Sequence, residues 1–313
     1  MALPPYASTG ERVWYWSFRA LCALIFLFLI APILVIVPLS FNAEPYFSFT
    51  PGMLAFDPEA WSTRWYRNIL EFGMLRPDEP DGAAWFADMW ANAQWVRALR
   101  NSFFIGFWAT AIATVLGTLA AIGLSRSEMP YRGLIMSILI SPMIVPLVIT
   151  AAGLFFAFSR TGAWFEALGA DPTAMGYVKV ILAHAVLGTP FVIITVTATL
   201  SGFDRSLTRA AASLGANPVT TFFKVQMPLI LPGVVSGGLF AFITSFDEVV
   251  AVLFLAGPQQ VTVPRQMWSG IREQISPTIL AVATILVIVS ILLLATVEVL
   301  RRRSERLRGM SPG

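Results

Sequence analysis

Hydrophobic positions along this chain come in long unbroken runs, neither alternating with polar residues nor forming narrow amphipathic stripes. Runs at 20–40, 102–124, 134–158, 176–200, 229–255 and 278–300 each supply about the 20 apolar residues that one helical crossing of a bilayer needs. Six membrane helices are therefore predicted. The first run follows Arg12 and Arg19 and is longer than a signal-peptide core of about 7 to 15 residues, and no small-residue cleavage pattern follows it, so it is expected to remain as an uncleaved helix. Six crossings leave both ends on one side. The organisation expected is an N-terminal segment 1–19, a transmembrane domain 20–300 and a C-terminal tail 301–313, with polar interruptions at 41–101 and 201–226.

Composition supports this reading. The chain is 57% hydrophobic and 12% charged, with a mean hydropathy of +0.72, whereas soluble domains carry about 25% charged residues. The fold class is an all-α membrane protein. The only cysteine, Cys22, excludes an internal disulfide and a cysteine-built metal centre. The net charge of +3 suggests no nucleic-acid partner, because the basic residues are sorted by topology. The N-terminus, 125–133, 201–226 and the tail hold Arg12, Arg19, Arg126, Arg132, Arg205, Arg209, Lys224, Arg301, Arg302, Arg303, Arg306 and Arg308 against Glu11, Glu128, Asp204 and Glu305. The opposite segments hold Glu44, Asp57, Glu59, Glu71, Asp78, Glu79, Asp81, Asp88, Glu166, Asp171 and Glu273 with fewer arginines. Positive charge stays inside, so both termini are expected in the cytoplasm.

The segment 41–101 carries Trp61, Trp65, Trp85, Trp90 and Trp95 and an acidic stretch near Asp78. Interfacial tryptophan anchors joined by a solvated loop is one reading; a docking surface for an external partner is the other.

The cytoplasmic interruption is more specific. Arg209 to Leu214 favours a short helix that Gly215 closes with a left-handed turn. Asn217 and Pro218 then suit the N-cap and first position of a second helix. Phe222, Phe223 and Val225 provide an apolar face, and Pro228 and Pro232 mark the return to the membrane. This is a helix-turn-helix finger that a partner can grip.

Here the sequence resembles the permease subunits of ABC importers that work with an external binding protein. Their loop motif reads E-A-A, three residues, G, nine residues, I, one residue, L-P, and Ala210, Ala211, Gly215, Val225, Met227 and Pro228 stand at those spacings. Arg209 replaces the usual glutamate. The resemblance implies a type I importer permease fold, with the finger as the coupling helix that docks on an ATP-hydrolysing subunit. It also implies a second permease subunit, two ATP-binding subunits that bind ATP and Mg, a periplasmic solute-binding protein, and the bacterial inner membrane as location. No cofactor is expected on this chain. A second resemblance, to the spermidine/putrescine-type permeases, rests on Ser245-Phe246-Asp247-Glu248-Val249-Val250, Gly257-Pro258, Val263-Pro264, Met267-Trp268 and Ile275-Ser276-Pro277-Thr278; importers of ferric iron or small organic ions share parts of it.

An ATPase or a membrane hydrolase is disfavoured, since there is neither a G-x-x-x-x-G-K-[ST] loop nor an H-E-x-x-H pattern. A secondary transporter or channel is the rival class, but it has no use for the finger. Asp247 and Glu248 fall inside the fifth run, where one charge costs about 2.5 to 3.5 kcal/mol. As neighbours on one helix they are expected to border a cavity that conducts a cation, with Phe246 and Trp268 alongside; a structural pair is the alternative. His184 reads as a hydrogen-bonded packing residue, and Gly233 and Gly237 as helix-packing positions. Lys179 is expected to reach the outer interface and Arg301 to Arg303 to form a solvated stop.

Overall fold

The computed structural model describes Tyr6 and residues 8–78, 82–126, 128–273 and 276–307. Glu79, Asp81, Ile275 and Arg308 lie outside the described residues, as do the side chains of Glu273, Arg301, Arg303, Glu305 and Arg306. Among the described residues, six helices are long and apolar enough to cross a membrane. The chain divides into two compact units, 1–70 with 274–292 and 71–273 with 293–313.

In the first unit, α1 (Thr9–Leu39) starts at a capping box in which Ser8 and Glu11 satisfy each other's backbone N–H groups. Its apolar side chains stay exposed along its length, as a helix facing lipid requires. Beyond it come α2 (Pro51–Leu54) and α3 (Arg64–Glu71), and Asn42 is buried. The Asn42 side-chain amide donates to the carbonyls of Tyr46 and Ser48 (3.2 and 3.1 Å), and the Asn42 backbone carbonyl accepts from the Trp65 indole at 2.7 Å. Thr278, at the start of the last helix, donates to Asn68 at 2.7 Å.

The second unit contains α4 (Ala83–Asn92), α5 (Gln94–Leu124), α6 (Arg132–Ile144), α7 (Leu147–Ala167), α8 (Pro172–Ser201), α9 (Ser206–Ser213), α10 (Pro218–Thr221), α11 (Met227–Asp247), α12 (Val250–Leu255) and α13 (Val263–Glu273). The chain closes with α14 (Thr278–Leu307), whose residues are shared between the units. The core is the packing of α5, α8 and α11. One layer gathers Ile105, Val180, Leu187 and Val252, the other Ala113, Val192, Val196 and Ile230.

Small residues let these backbones meet. A Cβ on Gly237 would stand 2.8 Å from the Val192 Cα, one on Gly188 2.9 Å from the Ala241 Cβ, and one on Gly117 2.7 Å from the Val192 Cβ. Gly233 lies equally close against Thr199. Thr195 and Thr199 donate to the carbonyls of Phe191 and Thr195, both at 2.9 Å, and so demand no partner from the facing helix.

Several boundaries differ from the sequence expectation. The third run is split: α6 ends before the extended Val145 and Pro146, and the crossing is Leu147–Ala167. Pro146 donates no hydrogen bond and disfavours helical backbone at Val145. The fifth crossing begins at Pro218 and ends at Asp247 rather than at Leu255. Trp65, Trp85 and Trp95 are buried in local packing rather than serving as interfacial anchors; Trp85 packs with Met74 and Ala93. Near it Asp88 accepts from the backbone of Leu75 and Arg76 (2.9 and 2.8 Å) and from Asn92 at 2.6 Å. The Asn92 bond, chiefly, holds its carboxyl below the usual range. Lys179 lies across Gly162 and pairs with Glu166 at 3.4 Å.

Gly237→Ala is expected to destabilise the protein by about 1 to 3 kcal/mol through overpacking. Gly153→Ala, where an added Cβ meets nothing within 4 Å, is expected to be neutral or to stabilise by up to about 1 kcal/mol. Thermal unfolding of the two variants in detergent checks the contrast.

Candidate functional site

The finger is built from local signals. Asp204 accepts from the Ser206 hydroxyl and backbone (2.6 and 2.8 Å), which starts α9 and lowers the Asp204 pKa. At the other end Leu214 and Gly215 close the helix. Gly215 takes a φ of +84°, its N–H donates to the Ala212 carbonyl at 2.9 Å, and the Ala216 N–H donates to Ala211 at 3.0 Å. This double closure satisfies carbonyls the helix would leave open and requires the left-handed residue that glycine supplies. Asn217 then caps α10 by accepting from the Thr220 N–H at 2.7 Å, with Pro218 in the first position.

The second half of the finger does not stop at the membrane. Phe222–Gln226 form a π-helical segment, in which the Met227 N–H reaches the Phe222 carbonyl, and α11 follows without a break. Pro228, which has no N–H and crowds the preceding turn, accounts for the widened turn. Pro218 to Asp247 is thus one 30-residue helix, about 45 Å long.

The structure brings the predicted finger residues into one helix-turn-helix and sorts them by exposure. Arg209, Ala210, Gly215, Asn217, Pro218, Phe223 and Pro228 are exposed, whereas Ala211, Phe222, Val225 and Met227 are half-buried. The apolar tip includes Phe223 of the expected apolar face, while Phe222 and Val225 lie partly covered behind it. Leu214 (88% exposed), Val219 (65%) and Phe223 (62%) form it, with Leu207 beside α9's polar residues. Leu214 stands immediately before the turn glycine and Val219 immediately after the capping Asn-Pro. Those positions, read on their own, mark a helix-turn-helix tip.

The four residues assigned to a substrate path lie in different settings. Phe246 is buried in a ring cluster, 5.2 Å from Phe103 and 5.6 Å from Phe242 between centroids. Trp268 is exposed on α13, and no hydrogen bond or ring contact joins it to either acid among the described residues. Asp247 is exposed at the end of α11. Glu248 is buried and extended (ψ 120°), so the two acids are not neighbours on one helix. Its carboxylate instead accepts from the Ala251 N–H at 2.9 Å and opens α12.

Sequence reasoning missed the partner at the other end of α12. Arg265 donates to the carbonyls of Ala256 and Gly257 at 2.7 and 3.3 Å, so a carboxylate faces the N-terminus of this short helix and a guanidinium its C-terminus, each favoured by the helix dipole. Around it the 256–263 loop is held by side chains from the core. Asn101 donates to the carbonyls of Gln259 and Val261 (2.7 and 2.9 Å), Tyr177 donates to Asn101 at 2.8 Å, Gln260 donates to Thr173 at 3.0 Å, and the Ser102 hydroxyl accepts from Val263 at 2.9 Å. His184 is buried and shares a 2.7 Å bond with Ser245, in line with a packing role.

Comparison with known proteins adds the family. The model of the binding-protein-dependent transport system inner membrane component matches residues 113–308. The chain belongs to that family. This inner membrane component is 32% identical over 266 residues to the putrescine transport system permease protein PotI of Escherichia coli (strain K12), covering 83% of this chain and 82% of the relative. It is 28% identical to the spermidine/putrescine transport system permease protein PotC of Haemophilus influenzae, over 92% and 97% of the two chains. A solved bacterial ABC transporter involved in the import of the acidic polysaccharide alginate aligns with a TM-score of 0.65 at 15% identity, over 94% of this chain and 99% of that one, which establishes the shared fold. The chain is thus the permease of an ABC importer, a multi-pass membrane protein that works with a binding protein. The family match begins within α5 and includes the finger, the helix break and α14; α1 and the 41–101 insert precede it.

Removing the Glu248 cap should cost more than removing Asp247. Glu248→Ala is expected to lower stability by about 1 to 2 kcal/mol, the range for a lost helix cap, while Asp247→Ala stays within about 0.5 kcal/mol, as exposed sites do. Unfolding midpoints of the purified variants decide it.

Proposed function

We propose that this permease carries a polyamine, putrescine or spermidine, from a periplasmic binding protein into the cytoplasm, as one half of a translocation pathway completed by a second permease subunit. Two ATP-binding subunits drive it, and they supply the ATP and Mg sites; this chain hydrolyses nothing. The observation that carries the docking assignment is the apolar tip Leu214, Val219 and Phe223 on a helix continuous with a membrane span. Exposed leucine, valine and phenylalanine outside the bilayer need a partner's groove. The names of the two polyamine-permease relatives support the substrate.

The finger and both termini lie in the cytoplasm under this reading, with 41–101 outside, in keeping with the arginine distribution. A lone cysteine at position 78 (Asp78→Cys with Cys22→Ser) should react with an impermeant thiol reagent in intact cells. Reaction only after permeabilisation would reverse the orientation.

Within the pathway Asp247, exposed at the end of α11, is the charge that meets the cation, and Glu248 holds the helix break beside it. Two measurements test the reading together: uptake of labelled putrescine and spermidine, and transport-linked ATP hydrolysis. Gly215→Val forces a β-branched residue into a left-handed turn, at about 1 to 3 kcal/mol, and should uncouple hydrolysis from uptake. Asp247→Asn should lower uptake about fivefold to tenfold, the equivalent of ~1 to 1.4 kcal/mol, with hydrolysis subunits still bound. Unchanged transport in both variants would remove the docking loop and the path from this account.

A further inference from the structure

We propose that the end of the helix bundle nearest the finger holds the phosphate headgroup of an anionic phospholipid. The ends of α5 and α8 and the start of α6 enclose a cleft of about 420 Å³. Arg132 and Arg205 line it, no Asp or Glu does, and Leu124, Met136, Leu200 and Phe203 supply an apolar wall. Thr197 also lines it, and its hydroxyl oxygen is buried without a hydrogen-bond partner. An adjoining cleft adds Arg126 together with Glu128, so arginines outnumber acids three to one around the pair of clefts.

Three physical features select the occupant. Two guanidiniums line one cleft, and the planar guanidinium fork matches phosphate oxygens in paired hydrogen bonds. The apolar wall has nothing to offer a free ion, but it matches the glycerol and first acyl carbons of a lipid. The cleft also lies where helices of a bilayer-spanning bundle end, at headgroup depth, and basic pockets between helices at that depth suit anionic headgroups. Arg205 already donates to the Ser125 carbonyl, which fixes its side chain at the rim, so Arg132 is the residue to vary.

The full chain, stripped of lipid in a neutral detergent, is titrated with phosphatidylglycerol or phosphatidylcholine, and bound lipid is counted by native mass spectrometry. Phosphatidylglycerol should bind at least about fivefold more tightly than phosphatidylcholine, and Arg132→Gln should weaken it about fivefold, one basic residue's share near an anionic surface. Arg132→Lys should restore most of the difference. Equal binding of the two lipids by the parent protein overturns the proposal whether or not the variant folds, and so does an Arg132→Gln protein with the parent's melting point and undiminished selectivity. Displacement of phosphatidylglycerol by equimolar inorganic phosphate or glycerol phosphate overturns the lipid as occupant in favour of a soluble anion.

Discussion

The bilayer interior contains no water to satisfy a backbone N–H or C=O, so every place where a helix stops inside it must find its partners within the protein. This constraint organises the end of the fifth crossing. After Asp247 the helix breaks, and the new N–H groups of α12 are met by the Glu248 carboxylate while its last carbonyls are met by Arg265. The loop that follows is not a free connector, because Asn101, Tyr177, Gln260 and Ser102 satisfy its backbone from α5, from α8 and from within the loop. Glu248, a charge that looked costly in a continuous helix, is one of the two, with Arg265, that make a discontinuous one tolerable.

The same solvent removes the hydrophobic force between helices, since lipid tails are as apolar as leucine, and leaves close packing to hold α5, α8 and α11 together. Gly117, Gly188, Gly233 and Gly237 bring those backbones within a methyl group's reach of one another. The finger's second helix and the fifth span are one helix from Pro218 to Asp247; in the proposed docking, a displacement of the finger is carried along that helix to the charged break with no additional moving part.

The finger was legible because its signals are local. Glycine after a short alanine-rich helix, then Asn-Pro, specifies a left-handed closure followed by a capped start, and backbone preferences of that strength survive in most surroundings. Which apolar side chains stand outside was not legible, because exposure depends on how α10 leans on its neighbours: Phe222 and Val225 are half-buried, and Leu214 and Val219 are left outside. Trp65, Trp85 and Trp95 of the insert were not legible for a similar reason. An indole anchored at an interface and one donating to a buried carbonyl, as Trp65 does to Asn42, are identical in sequence.

By itself the sequence determined that this is a multi-pass helical membrane protein with a helix-turn-helix interruption, because hydrophobic length and backbone preference are properties of contiguous stretches of chain. The tertiary structure alone decided the role of Glu248, the involvement of Arg265, the burial of Phe246 and the split at Val145 and Pro146. A carboxylate, a guanidinium or a ring acquires its function from groups far along the chain, and whether a proline bends a helix or ends it depends on what neighbouring helices offer the freed carbonyl.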